Sequence, residues 1–244
     1  TRFVKPAFEK YVYPSKQSAD IIIPWRDSNR VAVDLITQHI RSKLKQSDLR
    51  RIYSNLTVMD STMQIRGMHT KIRSRSTPRT EFVFYADRLI RLVVEAALGQ
   101  LPFSEAIVVT PAGEDYLGVN FAPRLCGVSM IRSGEAMEKS LSSCCSGIKI
   151  GKILIHRKGD QGEELAYEKL PHDIAQRHVL LMDPILATGG SIVRAIEVLT
   201  KDRNVDEGKI VLLTLMAAPE GIHRVCSAYP RLKVVTSAIE QGTG

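Results

Sequence analysis

The stretch that most constrains the fold runs from His178 to Thr200, HVLLMDPILATGGSIVRAIEVLT. Val179 to Met182 is a short apolar run suited to a buried parallel strand, and Ile192, Ala195, Ile196 and Leu199 recur at helical spacing. A strand must therefore give way to a helix between Asp183 and Ser191. Two consecutive glycines, Gly189 and Gly190, let the backbone curl so that several N–H groups face one anion at the helix start. Ser191 is the expected N-cap, and the Thr188 and Ser191 hydroxyls can add bonds to a phosphate. Asp183, at the strand's carboxyl end, is placed to accept bonds from sugar hydroxyls or to hold a hydrated Mg²⁺. A tight turn that merely uses Gly-Gly is the plain alternative.

The rest of the chain sets the context. With 244 residues and 44% hydrophobic content it can bury a sizeable core. No apolar run approaches the roughly 20 residues of a membrane span. The four cysteines, Cys126, Cys144, Cys145 and Cys226, have neither metal-ligand nor secreted-framework spacing, which points to reduced thiols and a cytoplasmic location. The first residue is Thr, so a longer parent product is expected. The net charge of +8 sits in the first third: residues 1–51 hold 11 Lys/Arg against 5 Asp/Glu, residues 52–80 hold 5 against 1, and residues 81–244 hold 18 against 20. With no nucleic-acid motif and little aromatic interleaving, this favours phosphate-rich small ligands or a solvated surface over nucleic acid.

Apolar runs give further strands at Leu125–Ile131, Ile150–Ile155, Lys209–Ala217 and Leu232–Thr236, and a helix over Phe82–Ala97 with Phe82, Leu89, Val93 and Ala97 facing inward. Residues 105–122 alternate as a hairpin around Pro111-Ala112-Gly113, an arm suited to pairing subunits. Near the N-terminus a strand at Ile21–Ile23 and a helix from about Ser28, capped within Asp27-Ser28-Asn29 and carrying His39, are expected. Arg66, Lys71, Arg73, Arg75 and Arg79 lie in an acid-free stretch, either a solvated loop or an anion contact. Arg132-Ser133-Gly134-Glu135 forms a turn after the Leu125–Ile131 strand, in which Arg132 either clamps an anion or pairs with Glu135.

DPILATGGS resembles the phosphoribosyl pyrophosphate (PRPP) loop of uracil phosphoribosyltransferases, with Met182 before a single acid as in that branch. RSGEAME resembles the same family's pyrophosphate loop, and YEKLP and APEGI also match family segments. PSKQSADIIIPW, continuing through NRVAVDLITQHI, resembles the C-terminal end of uridine kinases, although no Walker-type GxxxxGK[ST] occurs in the 244 residues.

The resemblance implies a type I phosphoribosyltransferase-like α/β domain: a doubly wound, mostly parallel sheet with a β-arm and a basic N-terminal extension. It divides the chain into a kinase-like remnant at 1–47, a junction at 48–63 and the transferase-like domain at 64–244, ending before the family's uracil-binding segment. The implied reaction is uracil plus PRPP giving UMP and pyrophosphate, within a bifunctional uridine kinase-like protein. Asp183, Arg132 and Arg157 are the implied catalytic residues, with Ala187, Thr188, Gly189, Gly190 and Ser191 on the 5-phosphate. Mg²⁺ carried by PRPP is the implied cofactor. Arg66, Lys71, Arg73 and Arg75 are implied contacts for phosphate or an activating GTP, although Ser74 stands where the family has an acid. The residues His156 and ELAYEKLP are read as incidental and as a flap or dimer contact. A dimer or tetramer is expected, with neither nucleic acid nor membrane as partner. The alternative is a non-catalytic module that binds PRPP or a nucleotide and regulates an attached uridine/cytidine kinase.

Overall fold

The apolar runs assemble into one eight-stranded sheet in the computed structural model, which describes residues 4–14, 37, 49–157 and 163–240. The chain separates into two units, Thr1–Ser47 and Asp48–Gly244. In the first, Val4–Ala7 and Phe8–Val12 form successive helical turns with Val4, Phe8 and Tyr11 exposed. The expected strand at Ile21–Ile23, the cap at Asp27–Asn29 and His39 lie outside the described residues.

In the second unit the strands are β1 (Leu56–Val58), β2 (Ser104–Val109), β3 (Asp115–Asn120), β4 (Leu125–Met130), β5 (Lys149–Arg157), β6 (Glu163–Lys169), β7 (His178–Met182), β8 (Ile185–Leu186), β9 (Ile210–Ala217) and β10 (Lys233–Ile239). The helices of eight residues or more are α1 (Met63–Arg73), α2 (Arg79–Leu98), α3 (Glu135–Cys144), α4 (Gly190–Glu197) and α5 (Pro219–Ala228). The sheet order is β1-β10-β9-β7-β4-β5-β6, with β8 on β9. Every pair is parallel except β5–β6. From β4 the chain moves to β5 on one side and then to β7, β9 and β10 on the other, so the order reverses between β4 and β7. That reversal opens a crevice beyond their carboxyl ends.

Alternation along β7 explains why the sheet is covered on both faces. Val179 and Leu181 join one core with Ile192, Ile196 and Ile222 of α4 and α5. Leu180 and Met182 join the other with Leu89, Val93, Met137 and Leu141 of α2 and α3. A strand covered on both faces reads as a continuous apolar run, as VLLM does.

Four expectations change in detail. The segment expected as a junction supplies a helical turn, Leu49–Ile52, and edge strand β1 paired with β10. ELAYEKLP, expected as a flap or dimer contact, supplies most of antiparallel strand β6 against β5. Phe82 is 44% exposed: it sits in the first turn of α2, where the inward stripe begins only at Leu89. Strand β5 continues through His156 and Arg157 instead of ending before them. The hairpin is present as the separate antiparallel pair β2–β3. No helix among the described residues is long and apolar enough to cross a membrane.

Leu181 is fully buried in the middle of the sheet. Leu181→Ala is expected to lower unfolding stability by about 2–5 kcal/mol through the lost transfer energy and the cavity left behind, measured by urea denaturation.

Candidate active site

The loops after β4 and β7 are neighbours because the two strands pair in parallel, Ser129 opposite Met182. They are also bonded: the Ser133 hydroxyl donates to Asp183 Oδ1 at 2.8 Å. The Asp183 N–H donates to the Leu213 carbonyl at 3.1 Å, which fixes the residue to β9 as well. Its carboxylate is half-buried, and desolvation pushes its pKa up to about 6, against the opposing hydrogen bonds from Ser133 and the Ile185 backbone.

Glycines allow this closeness. A Cβ on Gly134 would lie 2.3 Å from the Met182 carbonyl oxygen and 2.6 Å from the Met130 nitrogen, so a side chain there would force the β4 loop off the end of β7. In the β7 loop, Gly189 has φ +77° and is the N-cap of α4. This corrects the expectation for Ser191, which lies one residue inside the helix. A serine prefers the cap on local chemistry. Here the cap needs a left-handed backbone and lies beside Gly221, whose own Cβ would meet the Ala187 carbonyl oxygen at 2.4 Å.

The loop residues Ala187 to Ser191 thus wrap the start of α4, where first-turn N–H groups have no intrahelical partner. Thr188 and Ser191 are exposed, and Gly189 and Gly190 are buried. Arg224 of α5 donates to the Thr188 carbonyl at 3.4 Å, adding a cation beside the loop that the sequence motif does not mark. Ser133, Gly134 and Gly221 likewise went unassigned by sequence reasoning. The glycine within the quoted RSGE turn and the one within APEGI were the available signals.

Arg132 is exposed at the mouth of the β4 loop, after a cis Ile131–Arg132 peptide. Glu135 pairs not with Arg132 but with Lys152, at 2.5 Å. Arg157 ends β5, and its side chain lies outside the described residues. The basic stretch is less free than its composition implies. Lys71 pairs with Glu81 at 2.9 Å, and Arg73 pairs with Glu240 at the end of β10. Arg66 and Arg75 are exposed. Among the described residues no cluster of three or more His, Cys, Asp or Glu side chains forms a metal site.

A doubly wound sheet with two glycine-shaped loops meeting at its switch point, one offering helix N–H groups and the other an arginine, defines a domain of the phosphoribosyltransferase class. The family comparison is specific: a profile described as "Uracil phosphoribosyltransferase" matches residues 58–243, and the chain belongs to the uracil phosphoribosyltransferase family. It is 51% identical over 187 residues to a uracil phosphoribosyltransferase of Dictyostelium discoideum, covering 76% of this chain and 86% of that protein. It is 62% identical over 240 residues to Uridine/cytidine kinase UKL1, chloroplastic, of Arabidopsis thaliana, covering 98% of this chain and 49% of that protein. To Uridine-cytidine kinase-like 1 of Mus musculus it is 43% identical, covering 98% of this chain and 46% of that protein. The chain thus spans about half the length of these kinase-named relatives. The AQ2163 protein structure from Aquifex aeolicus shares the fold, with TM-score 0.64 at 20% identity over 76% of this chain and 87% of that one.

The raised Asp183 pKa has a definite sign. The folded state holds the Asp183 proton until about pH 6 and the unfolded chain releases it near 3.8, so stability falls as pH rises between those values. Relative to Asp183→Asn, the wild type is expected to lose about 1–2 kcal/mol across that window, after allowance for solvent screening, in urea titrations at pH 4 and pH 6.5.

Proposed function

We propose that this domain transfers the phosphoribosyl group of PRPP to uracil, giving UMP and pyrophosphate. The observation that carries the reading is the Ser133–Asp183 bond, which unites the loop offering helix N–H groups with the loop offering Arg132. In the reaction the C1–oxygen bond to pyrophosphate breaks and the bond from uracil N1 to C1 forms, with the N1 proton passing to solvent. No protein nucleophile is needed, since positioning and stabilisation of separating charge supply the rate. Asp183 orients the ribose hydroxyls, the Ala187 to Ser191 loop holds the 5-phosphate, and Arg132 with Arg157 takes the departing pyrophosphate.

With Asp183 as a lone carboxylate, the donor set suits Mg²⁺ held mainly by substrate oxygens and water, not by a protein cage. Bound there, the ion would offset pyrophosphate charge. An activating GTP against Arg66 and Arg75 belongs to the same proposal, as does a homo-oligomer. Ile107, Val109, Leu117 and Val119 share one face of the β2–β3 hairpin by register, each more than half exposed. An isolated two-stranded arm is marginal in water and gains by covering such a face. Four free cysteines suit a reducing compartment, the cytoplasm in this reading; the chloroplastic name of the Arabidopsis relative is the competing location.

A second reading, a non-catalytic ligand-binding module that regulates an attached kinase, is favoured by the uridine/cytidine kinase names of relatives that extend to twice this length. Labelled uracil with PRPP and Mg²⁺ separates the two. The transferase reading expects UMP, with Asp183→Asn lowering the rate by about 10²-fold or more through lost orientation. PRPP binding without UMP in the full-length parent would overturn it in favour of the regulatory module. Ile107→Asp is expected to shift the assembly toward a smaller species in light scattering.

A further inference from the structure

Arg132 and Glu135 stand three residues apart in a tight turn, where the Glu135 N–H donates to the Arg132 carbonyl at 3.3 Å. Opposite charges three residues apart are candidates to pair. These two do not, and Arg132 makes no ion pair among the described residues. Glu135 is engaged by Lys152, whose Nζ lies 2.5 Å from Glu135 Oε1 and 3.4 Å from Glu138 Oε1. The lysine is itself well placed. It sits on β5 opposite Ser129 of β4, and the fully buried Ser129 donates to Glu138 Oε1 at 2.5 Å. Glu138 is thereby anchored one turn along α3 from Glu135, and Lys152 is drawn between the two carboxylates.

We propose that Lys152 is a positioning residue that holds Glu135 away from Arg132, leaving the Arg132 guanidinium for the pyrophosphate of PRPP. The inference rests on the reading of this site as a PRPP site. Arg132, Lys152, Glu135 and Glu138 are together neutral, so the device lies in which acid faces which cation, not in an excess of charge. An arginine already satisfied by a neighbouring carboxylate would have to break that pair before gripping an anion, and the competition would appear as weaker binding.

The test is calorimetric titration of the 244-residue chain with PRPP in Mg²⁺. Lys152→Met should weaken binding roughly three- to tenfold, the scale of a partly exposed competing ion pair. Adding Glu135→Gln to it should restore the wild-type value, and Lys152→Arg should keep it. Removal of a nearby positive charge would also weaken an anion complex, so the deciding measurement is a double-mutant cycle. In an Arg132→Gln background, Lys152→Met should have no further effect. An equal loss in both backgrounds, or no loss in either, would overturn the proposal. Wild-type protein that fails to bind PRPP would instead overturn the site reading beneath it, whereas loss on Arg132→Gln with none on Lys152→Met removes this inference alone. Unchanged thermal unfolding of Lys152→Arg and the rescued double variant separates positioning from folding.

Discussion

The site depends on two loops, 50 residues apart in sequence, coming within hydrogen-bond distance at the switch point of the sheet. Two conditions make this possible. The parallel register sets Ser129 against Met182, so β4 and β7 end side by side. Gly134 then lets the β4 loop lie on the Met182 carbonyl, at a distance where any Cβ would collide with backbone atoms. Backbone cannot yield as a flexible side-chain tip can, so this contact admits no larger residue without moving Ser133, and with it the partner of Asp183. The geometry of the candidate site therefore follows from sheet register and one missing methyl group before any charged side chain is considered.

The same packing sets the electrostatics. Asp183 sits against the ends of β7 and β9, and burial raises its pKa because a charge there loses hydration. A carboxylate beside the proposed anion site is unfavourable in itself. Hydrogen bonds from the Ser133 hydroxyl and the Ile185 backbone offset part of that cost without adding positive charge. Positive groups belong to the same loops or touch them: the N-terminus of α4 follows the β7 loop, Arg132 is exposed in the β4 loop, and Arg224 donates to the Thr188 carbonyl. In the proposed reading, charges of both signs meet different parts of one substrate, ribose hydroxyls at the acid and phosphates at the cations and amides.

How legible this was depends on whether the determinants are local. The apolar run VLLM, the glycine doublet and the helical spacing after it located β7, the loop and α4, because each is a statement about adjacent residues. The RSGE turn was placed at the end of β4 for the same reason. What escaped is tertiary. Ser191 has the right chemistry for a cap, yet Gly189 takes the role because its neighbour across the packing interface is Gly221. Phe82 fits the apolar period of α2, but it lies in the exposed first turn of the helix, and the buried stripe begins only at Leu89. A strand such as Glu163–Lys169, rich in charge at a sheet edge, looks like a loop until its partner β5 is known.

Charge pairing shows the limit most plainly. Between residues 61 and 80 the chain has five cations and no acid, which by composition alone describes a repulsive cluster. In the fold Glu81 comes to Lys71 and Glu240 to Arg73, the second acid being 167 residues away. At the loop after β4 the reverse holds: an acid three residues from Arg132 in sequence is taken up by a lysine on another strand. Short-range sequence thus overstates the freedom of the first cluster and understates that of Arg132. Each exposed pair contributes little to stability, and what their distribution changes is which cations are left without an acid. At the end of β4, the cation so left is Arg132, beside the loop that carries Ser133.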